Sequence, residues 1–135
     1  MNAGRQPAVS RALAPGREAR TILVVEDNDL VRETIARGLE DAGYTVVEAA
    51  TAEDGLDALE GREINVLFTD IRLPGPMDGW RLAEKARALK PDLPVIYATG
   101  FSAEAPRLVP DGVLLKQPYT PSTVIDTIER LAAAR

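Results

Sequence analysis

The sequence predicts an α/β fold: a parallel sheet whose strands are joined by right-handed helical crossovers. Two observations carry this reading. Dense runs of β-branched and large apolar residues, Ile22-Leu23-Val24-Val25 and Ile64-Asn65-Val66-Leu67-Phe68, suit strands buried on both faces. Between such runs lie stretches with apolar residues every three or four positions, so strand and helix signals alternate from Thr21 onward. The 135 residues suit one domain and can bury a core without staples.

The elements follow in order. Residues 21–26 make the first strand. Asp29 can cap a helix carrying Val31, Ile35 and Leu39, and Gly43 ends it. Residues 45–49 are the second strand. Thr51-Ala52-Glu53-Asp54 resembles a capping box with Asp as its acid, and Leu56 and Leu59 then face inward. The third strand spans 64–69. Pro74-Gly75-Pro76 forces a loop, since two prolines and a glycine cannot extend a strand. A helix from about Gly79 presents Leu82, Ala83, Ala86 and Leu89 on one side. Residues 94–98 and 113–115 give the fourth and fifth strands. Between them, 102–110 contains Pro106 and Pro110 and has room for a short or irregular helix only. The last helix starts near Pro121, a residue suited to a first turn, with Val124, Ile125, Ile128 and Leu131 inward.

The first and third strands both end in acid: Val25 runs into Glu26-Asp27, and Thr69 into Asp70. In an open α/β sheet the functional crevice lies beyond the carboxyl ends of the strands. If these strands are neighbours, three carboxylates meet there. Close carboxylates raise one another's pKa unless a cation sits among them, and a hard, oxygen-seeking ion such as Mg²⁺ is the natural guest. The same feature supplies a candidate nucleophile.

Composition narrows the chemistry. There is no Cys and no His, so chemistry rests on Asp, Glu, Lys, Thr and backbone groups. Residues 1–20 carry four arginines against Glu18 alone and read as a disordered basic extension, leaving residues 21–135 as the domain. The net charge is −5, all of it from the acidic body, which argues against nucleic acid as a partner. No apolar stretch approaches the roughly 20 residues needed to cross a membrane, and the N-terminus has no apolar core of signal type; the expectation is a cytoplasmic protein without a membrane partner.

Taken together, these residues resemble the receiver domain of bacterial two-component response regulators. The carrying pieces are Ile22-Leu23-Val24-Val25-Glu26-Asp27; Asp70 with Leu73-Pro74-Gly75 and Met77-Asp78-Gly79; Ala98-Thr99-Gly100; and Lys116-Gln117-Pro118-Tyr119. The likeness covers about residues 21–131. It implies a doubly wound, flavodoxin-like five-stranded sheet of order 2-1-3-4-5. It also implies roles. Asp70 would be the phosphoacceptor, taking a phosphoryl group from a sensor histidine kinase, a phosphotransfer protein or a small acyl phosphate. Asp27 and Asp70 would bind Mg²⁺ directly, with the backbone carbonyl of Arg72 as a third ligand and Glu26 acting through water. Thr99 would be the switch hydroxyl.

The chain departs from the family pattern in three places. Pro76 lengthens the loop after Asp70. Lys116 stands one residue early, with Gln117 directly before Pro118, so either Lys116 or Gln117 fills the slot of the phosphoryl-contacting lysine, and the family's cis peptide falls on Gln117-Pro118. The usual fifth-strand aromatic position holds Val113, while Tyr97-Ala98-Thr99-Gly100-Phe101 resembles a subgroup of single-domain receivers with an aromatic-Ala-Thr-Gly-aromatic stretch; Tyr97 also suits the core. Trp80 is placed under the loop after the third strand, with a partner-facing role as the alternative.

With the chain ending at Arg135, the expectation is a stand-alone response regulator, not an enzyme beyond its own phosphorylation and dephosphorylation, that signals to an unknown output protein by contact. Two alternatives are carried. One is a pseudo-receiver that binds without cycling phosphate. The other is a Mg²⁺-dependent phosphohydrolase of haloacid-dehalogenase type, which needs an acid two residues after its nucleophile, where Arg72 stands here.

Overall fold

The computed structural model describes residues 20–100 and 107–133. Five strands and four helices alternate: β1 (Thr21–Val25), α1 (Asp29–Asp41), β2 (Thr45–Ala49), α2 (Ala52–Gly61), β3 (Val66–Asp70), α3 (Gly79–Leu89), β4 (Val95–Thr99), β5 (Val113–Lys116) and α4 (Pro121–Ala133). All strand pairs are parallel, in the order β2-β1-β3-β4-β5. The expected doubly wound sheet is therefore present. The basic extension lies almost wholly outside the described residues. So do residues 101–106, and with them Phe101. Residues 107–109 have no regular structure.

Period-two alternation divides the sheet into two packed faces. Leu23, Val25, Leu67, Val95 and Tyr97 face α2 and α3, with Leu59, Trp80 and Leu82 among their partners. Ile22, Val24, Phe68, Ile96 and Ala98 face α1 and α4, against Ile35, Leu39, Val124 and Ile128. β1, β3 and β4 are buried along almost their whole length, which explains their near-continuous apolar sequence.

Local chemistry accounts for the ends. Asn28, not Asp29, caps α1: its Oδ1 accepts from the Val31 amide at 3.0 Å. Asp29 lies inside the first turn, where a carboxylate suits the helix dipole. Gly43 adopts φ 106° directly after α1, the left-handed conformation that glycine tolerates. Thr51 caps α2 by accepting from the Asp54 amide at 3.0 Å, half of the expected box. Asp78 caps α3 through the Arg81 amide at 2.9 Å.

Three further expectations shift. β3 begins at Val66, because Asn65 spends its side chain on the Thr21 amide at 2.7 Å. β4 extends to Thr99 and β5 to Lys116, since the ladder continues past the apolar runs. Leu89, expected inward, is 47% exposed at the end of α3.

Candidate functional site

The acidic residues converge where β1 and β3 lie side by side. There the chain leaves β1 toward β2 on one side while β3 lies on the other, the switch point at which open α/β sheets form their crevice. One carboxylate oxygen from each of Glu26, Asp27 and Asp70 lies within 4.8 Å of the others. Asp70 is the last residue of β3, and alternation from Phe68 puts it on the α1/α4 face, as alternation from Val24 does for Glu26. Asp27 is exposed and Asp70 half-buried.

Burial sets the electrostatics. Glu26 is 9% exposed, and loss of solvent pushes its pKa up to about 7; the Asn28 amide, donating to its Oε2 at 2.9 Å, works the other way, and the neighbouring Asp70 and Asp27 add repulsion. Burial also raises Asp70 above the ordinary carboxylate range, opposed by the Arg72 amide, which donates to Oδ1 at 3.1 Å. Three hard oxygen donors that crowd one another in this way fit a divalent cation better than they fit empty solvent.

The surrounding backbone is tightly fixed. The Ile71 amide donates to the Ala98 carbonyl at 3.2 Å, and the Gly79 amide to the Ile71 carbonyl at 3.0 Å. A Cβ on Gly79 would collide with the Asp70 carbonyl oxygen and lie 2.7 Å from the Ile71 Cα, so the start of α3 approaches the site as only glycine allows. Arg32 was not singled out from sequence. Its guanidinium, only 13% exposed, donates to the Glu26 carbonyl at 2.8 Å and pairs with Asp29 at 2.8 Å and Glu48 at 3.2 Å. It ties α1 and β2 to the acidic turn. An arginine on a helix carries no sequence signal for this, because Glu48 is distant in the chain.

The other named residues fall as follows. Thr99 closes β4, buried, one position beyond the Asp70–Ala98 pair. Lys116 pairs with Thr99 in the ladder and is exposed. Gln117 follows it, its amide donating to the Thr99 carbonyl at 3.0 Å, and the Gln117–Pro118 peptide is cis. Tyr97 is fully buried in the core. Its hydroxyl accepts from the Val109 amide at 2.9 Å, and its ring lies 4.8 Å from that of Trp80. Trp80 is thus a core residue rather than an exposed anchor.

A crevice of acidic side chains on a doubly wound parallel sheet narrows the class of protein, and comparison with known proteins makes it definite. Residues 22–111 match the family model for the response regulator receiver domain, and the chain belongs to that family. It is 32% identical over 122 residues to the response regulator receiver protein CpdR of Brucella abortus, covering 85% of this chain and 98% of that one. It is 38% identical over 87 residues to the sensor kinase CckA of the same organism, covering 63% of this chain but only 9% of that protein. Among solved structures, a response regulator receiver protein from Sinorhizobium medicae superposes with a TM-score of 0.81 at 32% identity, covering 85% of this chain and 95% of that one. The chain is thus a receiver of two-component signalling. Among the described residues no helix is long and apolar enough to cross a membrane.

Proposed function

We propose that this receiver is a stand-alone phosphorylation switch: Asp70 accepts a phosphoryl group from the phosphohistidine of a sensor histidine kinase or phosphotransfer protein, and the phosphorylated chain acts on an output protein by contact. The meeting of Glu26, Asp27 and Asp70 at the ends of β1 and β3 carries the reading. The likeness to a sensor kinase and the near end-to-end match to CpdR support it.

In this mechanism an Asp70 oxygen forms a bond to phosphorus as the phosphorus–nitrogen bond of the donor breaks. The imidazole nitrogen keeps the electron pair. Asp27, Asp70 and the Arg72 carbonyl would hold Mg²⁺, with Glu26 acting through water, and the bound ion would supply cancellation of charge on the phosphoryl oxygens. Thr99 donates its hydroxyl to a phosphoryl oxygen. That contact exists only in the phosphorylated state, so it gives the differential interaction that a population shift requires. Water attack on phosphorus later releases inorganic phosphate and restores the carboxylate. The protein is a switch that resets, not an enzyme acting on a separate substrate.

The test is to treat the protein with phosphoramidate and Mg²⁺, reduce any acyl phosphate with borohydride, and locate the reduced residue by peptide mass. Reduction at position 70, absent when EDTA replaces Mg²⁺, is expected. No reduction despite bound Mg²⁺ would favour a pseudo-receiver, and reduction elsewhere would refute the assignment. Sustained turnover of a phosphomonoester would favour the phosphohydrolase alternative, for which Arg72 stands where the general acid should be.

A further inference from the structure

The end of β5 carries a lysine and a glutamine, and their placement differs. Alternation along β5 is fixed by its neighbours: Leu114 packs on the α2/α3 face and Leu115 on the α1/α4 face. β5 ends at Lys116, and the amide of Gln117, the next residue, closes the last pairing by donating to the Thr99 carbonyl. Gln117 therefore continues the face of Leu115, Phe68 and Asp70. Lys116 continues the opposite face; both side chains are exposed, so it is the face and not the exposure that separates them.

The Gln117 side chain also has a defined seat. It lies across Gly100, the residue after Thr99: a Cβ at position 100 would fall 2.8 Å from Gln117 Oε1 and 3.3 Å from its Cδ. Tyr119, two residues further on, is half-buried, its ring edge-on to Phe68 at 5.9 Å. Burial pushes the Tyr119 phenol up to about 12; repulsion from Glu26 and Asp70 adds to this, and the Gln117 side chain works the other way. Phe68 is two residues before Asp70 on the same face, so Tyr119 packs against the face of β3 that carries Asp70.

We propose that Gln117, not Lys116, is the side chain that contacts the phosphoryl group on Asp70, with Tyr119 as its positioning residue. This inference rests on the phosphoacceptor reading above. A neutral amide there hydrogen-bonds a phosphoryl oxygen without cancelling its charge, so more of the cancellation falls to the cation bound by the carboxylates. Tyr119 acts through Gln117: its hydroxyl holds the amide over Gly100, beside Thr99.

The test compares Lys116→Ala, Gln117→Ala, Gln117→Lys and Tyr119→Phe with the wild-type protein. Two readouts are taken: the rate of phosphorylation by phosphoramidate, followed by intact mass, and Mg²⁺ affinity, followed by calorimetry. Lys116→Ala should leave both unchanged. Gln117→Ala should slow phosphorylation on the order of ten-fold, the scale of one hydrogen bond to a charged group, with Mg²⁺ affinity unchanged. Tyr119→Phe should slow it in the same sense, also without loss of Mg²⁺ affinity, a split that general loosening of the fold would not give. Gln117→Lys should accelerate it. The inference is overturned if Lys116→Ala abolishes phosphorylation while Gln117→Ala leaves it intact. If the wild-type protein binds Mg²⁺ yet takes no phosphoryl group, the phosphoacceptor reading fails, and the inference with it.

Discussion

Replacing Glu26 by Gln isolates the electrostatic strain in the crevice. In the unfolded chain Glu26 titrates near 4.5; in the folded, metal-free protein burial moves it to about 7. Below pH 4.5 both states hold the proton and no penalty arises. Between 4.5 and 7 the folded state keeps a proton that the unfolded state has lost, so stability falls as pH rises. Above pH 7 the full cost is present, about 3.5 kcal/mol at roughly 1.4 kcal/mol per pKa unit. Gln keeps an acceptor for the Asn28 amide, held at 2.9 Å in the wild type, and removes the charge. Without metal at pH 8, Glu26→Gln should therefore be more stable than wild type by about 3 kcal/mol, and at pH 5 by less than about 1 kcal/mol. Saturating Mg²⁺ should stabilise the wild type more than the variant, because the ion binds the folded state and the variant offers one carboxylate fewer. Urea unfolding followed by circular dichroism, at both pH values and with EDTA or Mg²⁺, measures all four quantities. A variant that is less stable than wild type at pH 8 in EDTA, or a difference that does not change with pH, would refute the reasoning.

Three other perturbations follow from named contacts. Tyr97→Phe removes the acceptor of the buried Val109 amide at 2.9 Å and should cost about 1–2 kcal/mol in urea unfolding, with little change in the fold. Gly79→Ala drives a methyl group into the Asp70 carbonyl and the Ile71 backbone, which cannot swing away. It should destabilise by about 2 kcal/mol or more and weaken Mg²⁺ binding in calorimetry, because the displaced backbone carries Asp70. Asn28→Ala removes the cap of α1 and should cost about 1 kcal/mol, whereas Asp29→Ala should cost distinctly less; the reverse ranking would return the cap to Asp29.

The parts of the fold that sequence made plain are those governed by period and composition. Ile22 to Val25 and Val66 to Phe68 are apolar without interruption because helices cover both sides of their strands. Gly43 and Pro121 mark helix ends through backbone constraints that do not depend on the rest of the molecule. The parts that sequence left open depend on tertiary neighbours. Asn28 and Asp29 are both competent caps, and only the path of the chain out of β1 decides between them. Asn65 reads as strand until its side chain is seen bonded to Thr21. The acidic crevice was legible because its residues are the terminal residues of apolar strands. The placement of Lys116 and Gln117 was not, because a one-residue change in where β5 ends exchanges the two faces. Arg32 and Tyr119 reach the site from other elements, a relation no local pattern encodes.

The central claim is that Asp70 accepts phosphate with the help of a cation held by its acidic neighbours. The most direct measurement is the intact mass of the protein after incubation with acetyl phosphate and Mg²⁺, beside Asp70→Asn and a metal-free control. The account predicts the gain of one phosphoryl group in the wild type alone. A gain that survives in Asp70→Asn, or one that is indifferent to Mg²⁺, would contradict it.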